Sequence, residues 1–256
     1  CWQWLYLIGV QLPERHACAP APFRCWRQSS TLINQASIKN RILGRLPAAE
    51  LALISGQLSL VTMDLGQTLQ RQGDVVEHVY FVETGFISAL NVLSDGHPLE
   101  IALIGSEGVA GFSVVMGGST SYAETMCQTE GRAYRMTAEA LKGAFEKAPV
   151  LRDLLLGYAL LFQVQVSQTA ACNAHHALEQ RLARWLLAAH DRSQVTQLSL
   201  TQDLIAVMLG VRRATVSIAA STLQRAGVIR YQHGSAICCR CSWHDACGIS
   251  CNELLS

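Results

Sequence analysis

Residues 199–234 constrain this chain more than any other stretch, because they spell out two short helices, a tight reversal and a hairpin in direct succession. Thr201 stands where an N-cap belongs, its hydroxyl placed to accept an orphan backbone N–H of the first turn. Ile205, Met208 and Leu209 then recur at i, i+3 and i+4, one apolar stripe, with the small Ala206 beside them for close helix crossing. Gly210 falls where the stripe ends and the chain must pass through a left-handed conformation. Val211 returns to the core, and Val216, Ala219, Ala220 and Leu223 continue it on a second helix. Arg212, Arg213, Ala214, Ser217, Ile218 and Ser221 are thereby left on the outer face. Gly227 stops this helix, and Val228-Ile229-Arg230-Tyr231 alternates before a turn at His233-Gly234. The segment reads as a helix-turn-helix followed by a β wing.

Its charge gives the outer face a partner. Residues 199–234 hold Arg212, Arg213, Arg225 and Arg230 against the single acid Asp203, a local surplus suited to double-stranded DNA. The whole-chain charge of +1 conceals this.

At 256 residues and roughly 150 per domain, two domains are expected. Half the residues are hydrophobic and 15% are charged, enough for two real cores. No unbroken apolar run reaches the ~18 residues of a membrane span. Trp4 to Val10 is short and has no basic residue before it, a poor signal peptide. A cytoplasmic protein without membrane contact is the expectation.

Of the ten cysteines, only Cys127 and Cys172 lie in the body of the chain. The tail set Cys238, Cys239, Cys241, His244, Cys247 and Cys251 lacks paired C-x2-C knuckles, so no metal site is expected there. Composition shifts abruptly at Cys238, and the first thirty residues share that foreign texture, with no methionine before Met63. Residues 1–37 therefore read as a non-native or disordered extension, and 238–256 as an atypical, frameshifted tail.

Between these ends the order is regular. Asn40 to Leu46 and Ala48 to Gly56 read as helices separated by Pro47. Short alternating runs follow at 58–61, 68–69, 75–82, 85–92, 99–104 and 130–135, divided by glycine-bearing turns, the pattern of an antiparallel jelly roll. Thr137 caps a helix to Glu146. Pro149 opens the longest apolar helix, Val150 to Cys172, and a further helix runs from Ala177 to His190. The fold class is α+β: a jelly roll, a long helix and a winged helix-turn-helix.

Tyr80-Phe81-Val82-Glu83-Thr84-Gly85, Ile104-Gly105-Ser106-Glu107-Gly108-Val109-Ala110-Gly111 and Leu200 to Gly234, in this order, resemble the Crp/Fnr transcription factors over residues 38–237. The resemblance implies a cyclic-nucleotide-binding-like sensor domain at 38–148, a dimerisation helix at 149–173 and a DNA-binding domain at 174–237. It implies a homodimer on a near-palindromic operator, contact with RNA polymerase, and no enzymatic activity. Leu151, Leu154, Leu155, Tyr158 and Phe162 would form the dimer helix seam. On the recognition helix Arg213, Ala214, Ser217 and Ile218 would read bases, while Thr201, Gln202, Arg212 and Thr215 would contact phosphates.

The departures from that family's pattern concern the input signal. Where cyclic-nucleotide binders carry a Gly-Glu pair and an arginine, Gly111 is followed by Phe112, and residues 101–131 contain no lysine or arginine. A buried cyclic phosphate without a cation is costly, so cyclic AMP and cyclic GMP are not expected as ligands and no cofactor is assigned. Cys1, Cys18 and Cys25 are too dispersed for an iron–sulfur site, and His78 is the nearest candidate for a haem ligand. His78 and His97 are too few for a cupin-like metalloenzyme. A thiol sensor at Cys127 or Cys172 is the alternative input, and an interaction module without DNA binding the alternative function.

Overall fold

The structure is a computed structural model that describes residues 35–193, 197–198, 200–227, 229–232 and 235–238. The expectations placed on residues 1–34 and 239–256, on Val228 and on the His233-Gly234 turn lie outside the described residues. Gln35–Ser37, read from sequence as extension, forms a 3-10 turn whose Gln35 amide donates to the Leu46 carbonyl.

Helix α1, Arg41–Gly44, is anchored by Asn40, which is fully buried. Its side-chain oxygen accepts from the N–H groups of Ile42 and Leu43, and its amide nitrogen donates to the carbonyls of Val82 and Gly108, both at 2.9 Å. Glu83 completes the knot by accepting the backbone N–H groups of Lys39 and Asn40 at 3.0 and 2.9 Å. The Glu83 and Gly108 segments singled out in the sequence thus meet at one buried side chain. Helix α2, Ala48–Ser55, follows Pro47.

Eight strands form the barrel: β1 Ser59–Met63, β2 Thr68–Gln70, β3 His78–Thr84, β4 Ile87–Val92, β5 Pro98–Ile104, β6 Val109–Ala110, β7 Glu124–Cys127 and β8 Gly131–Thr137. They pair antiparallel in two four-stranded sheets, ordered β1-β8-β3-β6 and β2-β7-β4-β5. β6 and β7 escape a sequence reading. The first has two residues, and the second turns the polar Thr125 inward while Glu124 and Met126 are half-buried, so hydrophobic alternation is lost.

Helix α3, Ala138–Lys147, is capped by Thr137, whose hydroxyl accepts from the Ala140 N–H at 3.2 Å. Helix α4, Pro149–His175, starts at a Pro in the first turn, and the Glu50 carboxylate accepts the first-turn N–H groups of Val150 and Leu151 at 3.1 and 2.9 Å. A carboxylate at this end also suits the helix dipole. Helix α4 satisfies the length and mean hydropathy of a membrane span. Gln165, however, exchanges two bonds of 3.0 Å with the backbone of Leu103 in β5, and one helix face is packed on the barrel.

That packing engages the residues expected to form the dimer seam. Leu151, Leu155, Tyr158 and Phe162 are buried against the chain's own barrel, with Leu154 packed beside them, because an apolar stripe serves the nearest core first. The outward face carries Leu156, Leu160 and Leu161, and a shallow surface depression lined by Leu160, Gln163, Val164, Ser167 and Gln168.

Helix α5, Leu178–Ser193, leads through β9, Gln197–Leu198, into α6, Gln202–Leu209, and α7, Arg213–Arg225. β10, Ile229–Gln232, and β11, Ser235–Cys238, form the wing, in a sheet ordered β10-β11-β9. Their core is not separate from the barrel: Phe86, Leu90 and Leu103 pack with Trp185, Leu186, Met208 and Leu209 in one cluster.

Candidate nucleic-acid interface

Thr201 caps α6 as its residue type predicts, accepting the Leu204 N–H at 3.1 Å. Gly210 ends the helix at φ 62°, ψ 41°, and a Cβ there would lie 2.7 Å from Leu99 Cδ1. Glycine is therefore required by the left-handed backbone, and a larger residue would also have to displace the tip of the Leu99 side chain. The chain bends by 103° between α6 and α7. Val216, Ala219, Ala220 and Leu223 are buried beneath α7, as their spacing requires. Arg181 from α5 fixes the end of α6 by donating to the Leu209 carbonyl at 2.5 Å.

This scaffold turns one face of α7 to solvent. Arg212, Arg213, Ala214, Thr215, Ile218 and Ser221 are exposed and Ser217 is half-buried. Ile218 is 64% exposed, a large apolar side chain left uncovered among the described residues. Arg212 occupies the N-cap position without a side-chain cap, and its carbonyl accepts the Thr215 N–H at 3.0 Å, so an anion at this end would meet the N–H groups of Arg213 and Ala214. Arg213 Nε lies 3.6 Å from Asp203 Oδ1, and Ser217 donates its hydroxyl to Gln202 Oε1 at 2.6 Å. Arg225 and Arg230 extend the exposed cationic surface toward the wing. The eight residues assigned to bases and phosphates thus lie together around the start of α6 and α7. Thr201 spends its hydroxyl on the cap, leaving only its remaining lone pair and hydrogen for a phosphate.

On the sensor side, Phe112 packs edge-on against Tyr158 and Phe162, with centroids at 5.2 and 5.1 Å, and Tyr122 closes the group at 6.4 Å from Phe112 and 6.1 Å from Phe162. Burial raises the Tyr158 phenol above its ordinary range. Gly108 is needed here, since any Cβ would strike the Tyr158 ring at 2.5 Å. Burial likewise pushes the Cys127 thiol up to about 12, and Cys172 is also buried. His78 is half-buried, its pKa lowered by burial and by Arg135. Among the described residues no three His, Cys, Asp or Glu side chains gather as a metal site.

Two polar junctions between the barrel and α5 were not foreseen. Glu100 of β5 is buried, accepting from the Ser88 hydroxyl at 2.5 Å and from the Trp185 indole N–H at 2.7 Å. Arg192 donates to Glu107 at 2.6 Å. An acid inside the otherwise apolar run Leu99 to Ile104 was the available signal for the first.

The family model for a Crp-like helix-turn-helix domain matches residues 180–240, and that for a cyclic nucleotide-binding domain matches residues 60–148. No curated protein sequence matches the chain. Among solved structures, the c-di-GMP responsive global regulator CLP of Xanthomonas campestris is 16% identical with a TM-score of 0.64, covering 76% of this chain and 100% of its own. FixK2 of Bradyrhizobium japonicum is 18% identical at 0.62, covering 72% and 93%. TTHA1359, a CRP/FNR regulator of Thermus thermophilus, is 20% identical at 0.62, covering 74% and 98%. At these identities the structural likeness is one of fold.

Proposed function

The chain belongs to the Crp/Fnr family of transcription regulators, and we propose that it acts in the cytoplasm as a homodimer that binds a near-palindromic operator. The observation that carries this reading is the solvent-facing surface of α7, with Arg212, Arg213, Ala214 and Ile218 uncovered beside the half-buried Ser217 on a helix whose other face is fully packed. Arg213 offers a guanidinium fork to guanine O6 and N7, and Ala214 and Ile218 suit a thymine methyl group. Arg212, Thr215 and Gln202 sit at the rim, where phosphates set the register. The role is binding, and no catalytic activity is assigned.

The two-fold partner is a second copy joined along the outward face of α4, where Leu156, Leu160 and Val164 are spaced at i, i+4 and i+8. Each protomer then places one α7 in successive major grooves, and the complex recruits RNA polymerase. Cyclic AMP and cyclic GMP are not the input. Phe112 follows Gly111 where the family's cyclic-nucleotide binders carry a glutamate, and it packs edge-on against the α4 rings of Tyr158 and Phe162. A thiol input at Cys127 or Cys172 is disfavoured by burial of both, since a reactive cysteine needs thiolate character and access.

Selection of duplexes from a random pool, followed by sedimentation of the complex, tests the reading. A two-fold symmetric consensus bound by two protomers is the expected result. Binding with no sequence preference, or a monomeric complex, contradicts it.

A further inference from the structure

The two residues of α7 best placed to read bases are both engaged from the start of α6. Ser217 donates its hydroxyl to Gln202 Oε1 at 2.6 Å, while the alternative acceptor on its own helix, the Arg213 carbonyl, is at 3.3 Å. Arg213 Nε faces Asp203 Oδ1 at 3.6 Å. A serine hydroxyl carries one hydrogen, so with that hydrogen committed Oγ presents lone pairs alone. In the major groove lone pairs match the exocyclic amino groups, N4 of cytosine and N6 of adenine, and repel O6 and N7 of guanine and O4 of thymine. The free serine would accept either kind of edge.

We propose that Gln202 is a specificity-determining positioning residue, which fixes Ser217 as a hydrogen-bond acceptor so that each half-site carries adenine or cytosine opposite it. The proposal rests on the operator-binding reading above and replaces a purely phosphate-contacting role for Gln202. Gln202 is polarised by the same bond. Its oxygen is occupied, and its amide nitrogen keeps two donors for a phosphate. Asp203 lies beside the Nε edge of Arg213 at 3.6 Å, an exposed ion pair that leaves both Nη nitrogens for the guanine fork.

Selection from a randomised duplex pool with the full chain, its Q202A, Q202E and S217A variants, and thermal melts of each, tests this directly. Wild type should select adenine or cytosine at one position per half-site. Q202A frees the Ser217 hydrogen and should erode that preference by roughly five- to tenfold, the worth of one neutral hydrogen bond, with every other position unchanged. Q202E keeps an acceptor for the same hydrogen, so it should keep the preference while its added charge weakens all sequences together. S217A should lose the preference. An unchanged consensus in Q202A with uniformly weaker binding overturns the proposal, as does loss of the preference in Q202E. If wild type selects no consensus at all, the operator reading itself fails, a result distinguishable because no variant then has a pattern to change.

Discussion

Replacing Glu100 by Gln should stabilise the protein above neutral pH and do almost nothing in acid. Glu100 is buried between β5 and α5, and desolvation raises its pKa from the ordinary 4.5 to about 7, against the opposing effects of the Ser88 and Trp185 hydrogen bonds and of Arg184 and Arg192. Between these values the folded protein holds a proton that the unfolded chain has released. Stability therefore falls as pH rises through this window, by about 3 kcal/mol in total at ~1.36 kcal/mol per pH unit. Glutamine retains the geometry: its oxygen accepts from the Trp185 indole and its amide donates to Ser88 Oγ. It carries no charge to desolvate. At pH 8 E100Q should gain up to ~3 kcal/mol over wild type, and at pH 4.5 the two should coincide. Urea denaturation followed by tryptophan fluorescence at both pH values reads the difference, because other titrating groups cancel between wild type and variant. A variant less stable than wild type at pH 8, or one offset equally at both pH values, would refute the reasoning.

Asn40→Ala removes an N-cap and two buried side-chain bonds and should cost ~2–4 kcal/mol by denaturant titration; a loss below that of an ordinary surface substitution would show the knot to be dispensable. Leu160→Asp should yield monomers by sedimentation with little change in the melting of the protomer, whereas Leu155→Ala should cost ~2–5 kcal/mol through a barrel-side cavity and leave association intact; the reverse outcome would restore Leu155 to the dimer seam. Cyclic AMP or cyclic GMP at millimolar concentration should leave thermal stability unchanged, and a micromolar dissociation constant by calorimetry would contradict this.

The helix-turn-helix was legible because every local requirement is written in residue type: Thr201 as a cap, Gly210 for a left-handed turn, Val216 to Leu223 as a stripe. The reading face followed from what the stripe left over. On α4 the stripe announced burial without naming what covers it, and Leu155 and Phe162 lie in the core with the barrel. The aromatic group around Phe112 and the Glu100 junction join residues far apart in sequence. Single-chain periodicity carries no trace of such pairings. The bond from Ser217 to Gln202 crosses two helices and likewise needed the 103° bend to be seen.

The most direct test of sequence-specific binding through α7 compares Arg213→Ala with Arg212→Ala in parallel duplex selections and salt titrations. The account predicts that Arg213→Ala costs ~1–3 kcal/mol on the selected operator and relaxes one guanine per half-site, while Arg212→Ala weakens every sequence alike and lowers the salt slope by about one per protomer. An intact consensus in Arg213→Ala with an altered one in Arg212→Ala would contradict it and place α7 in another register on the DNA.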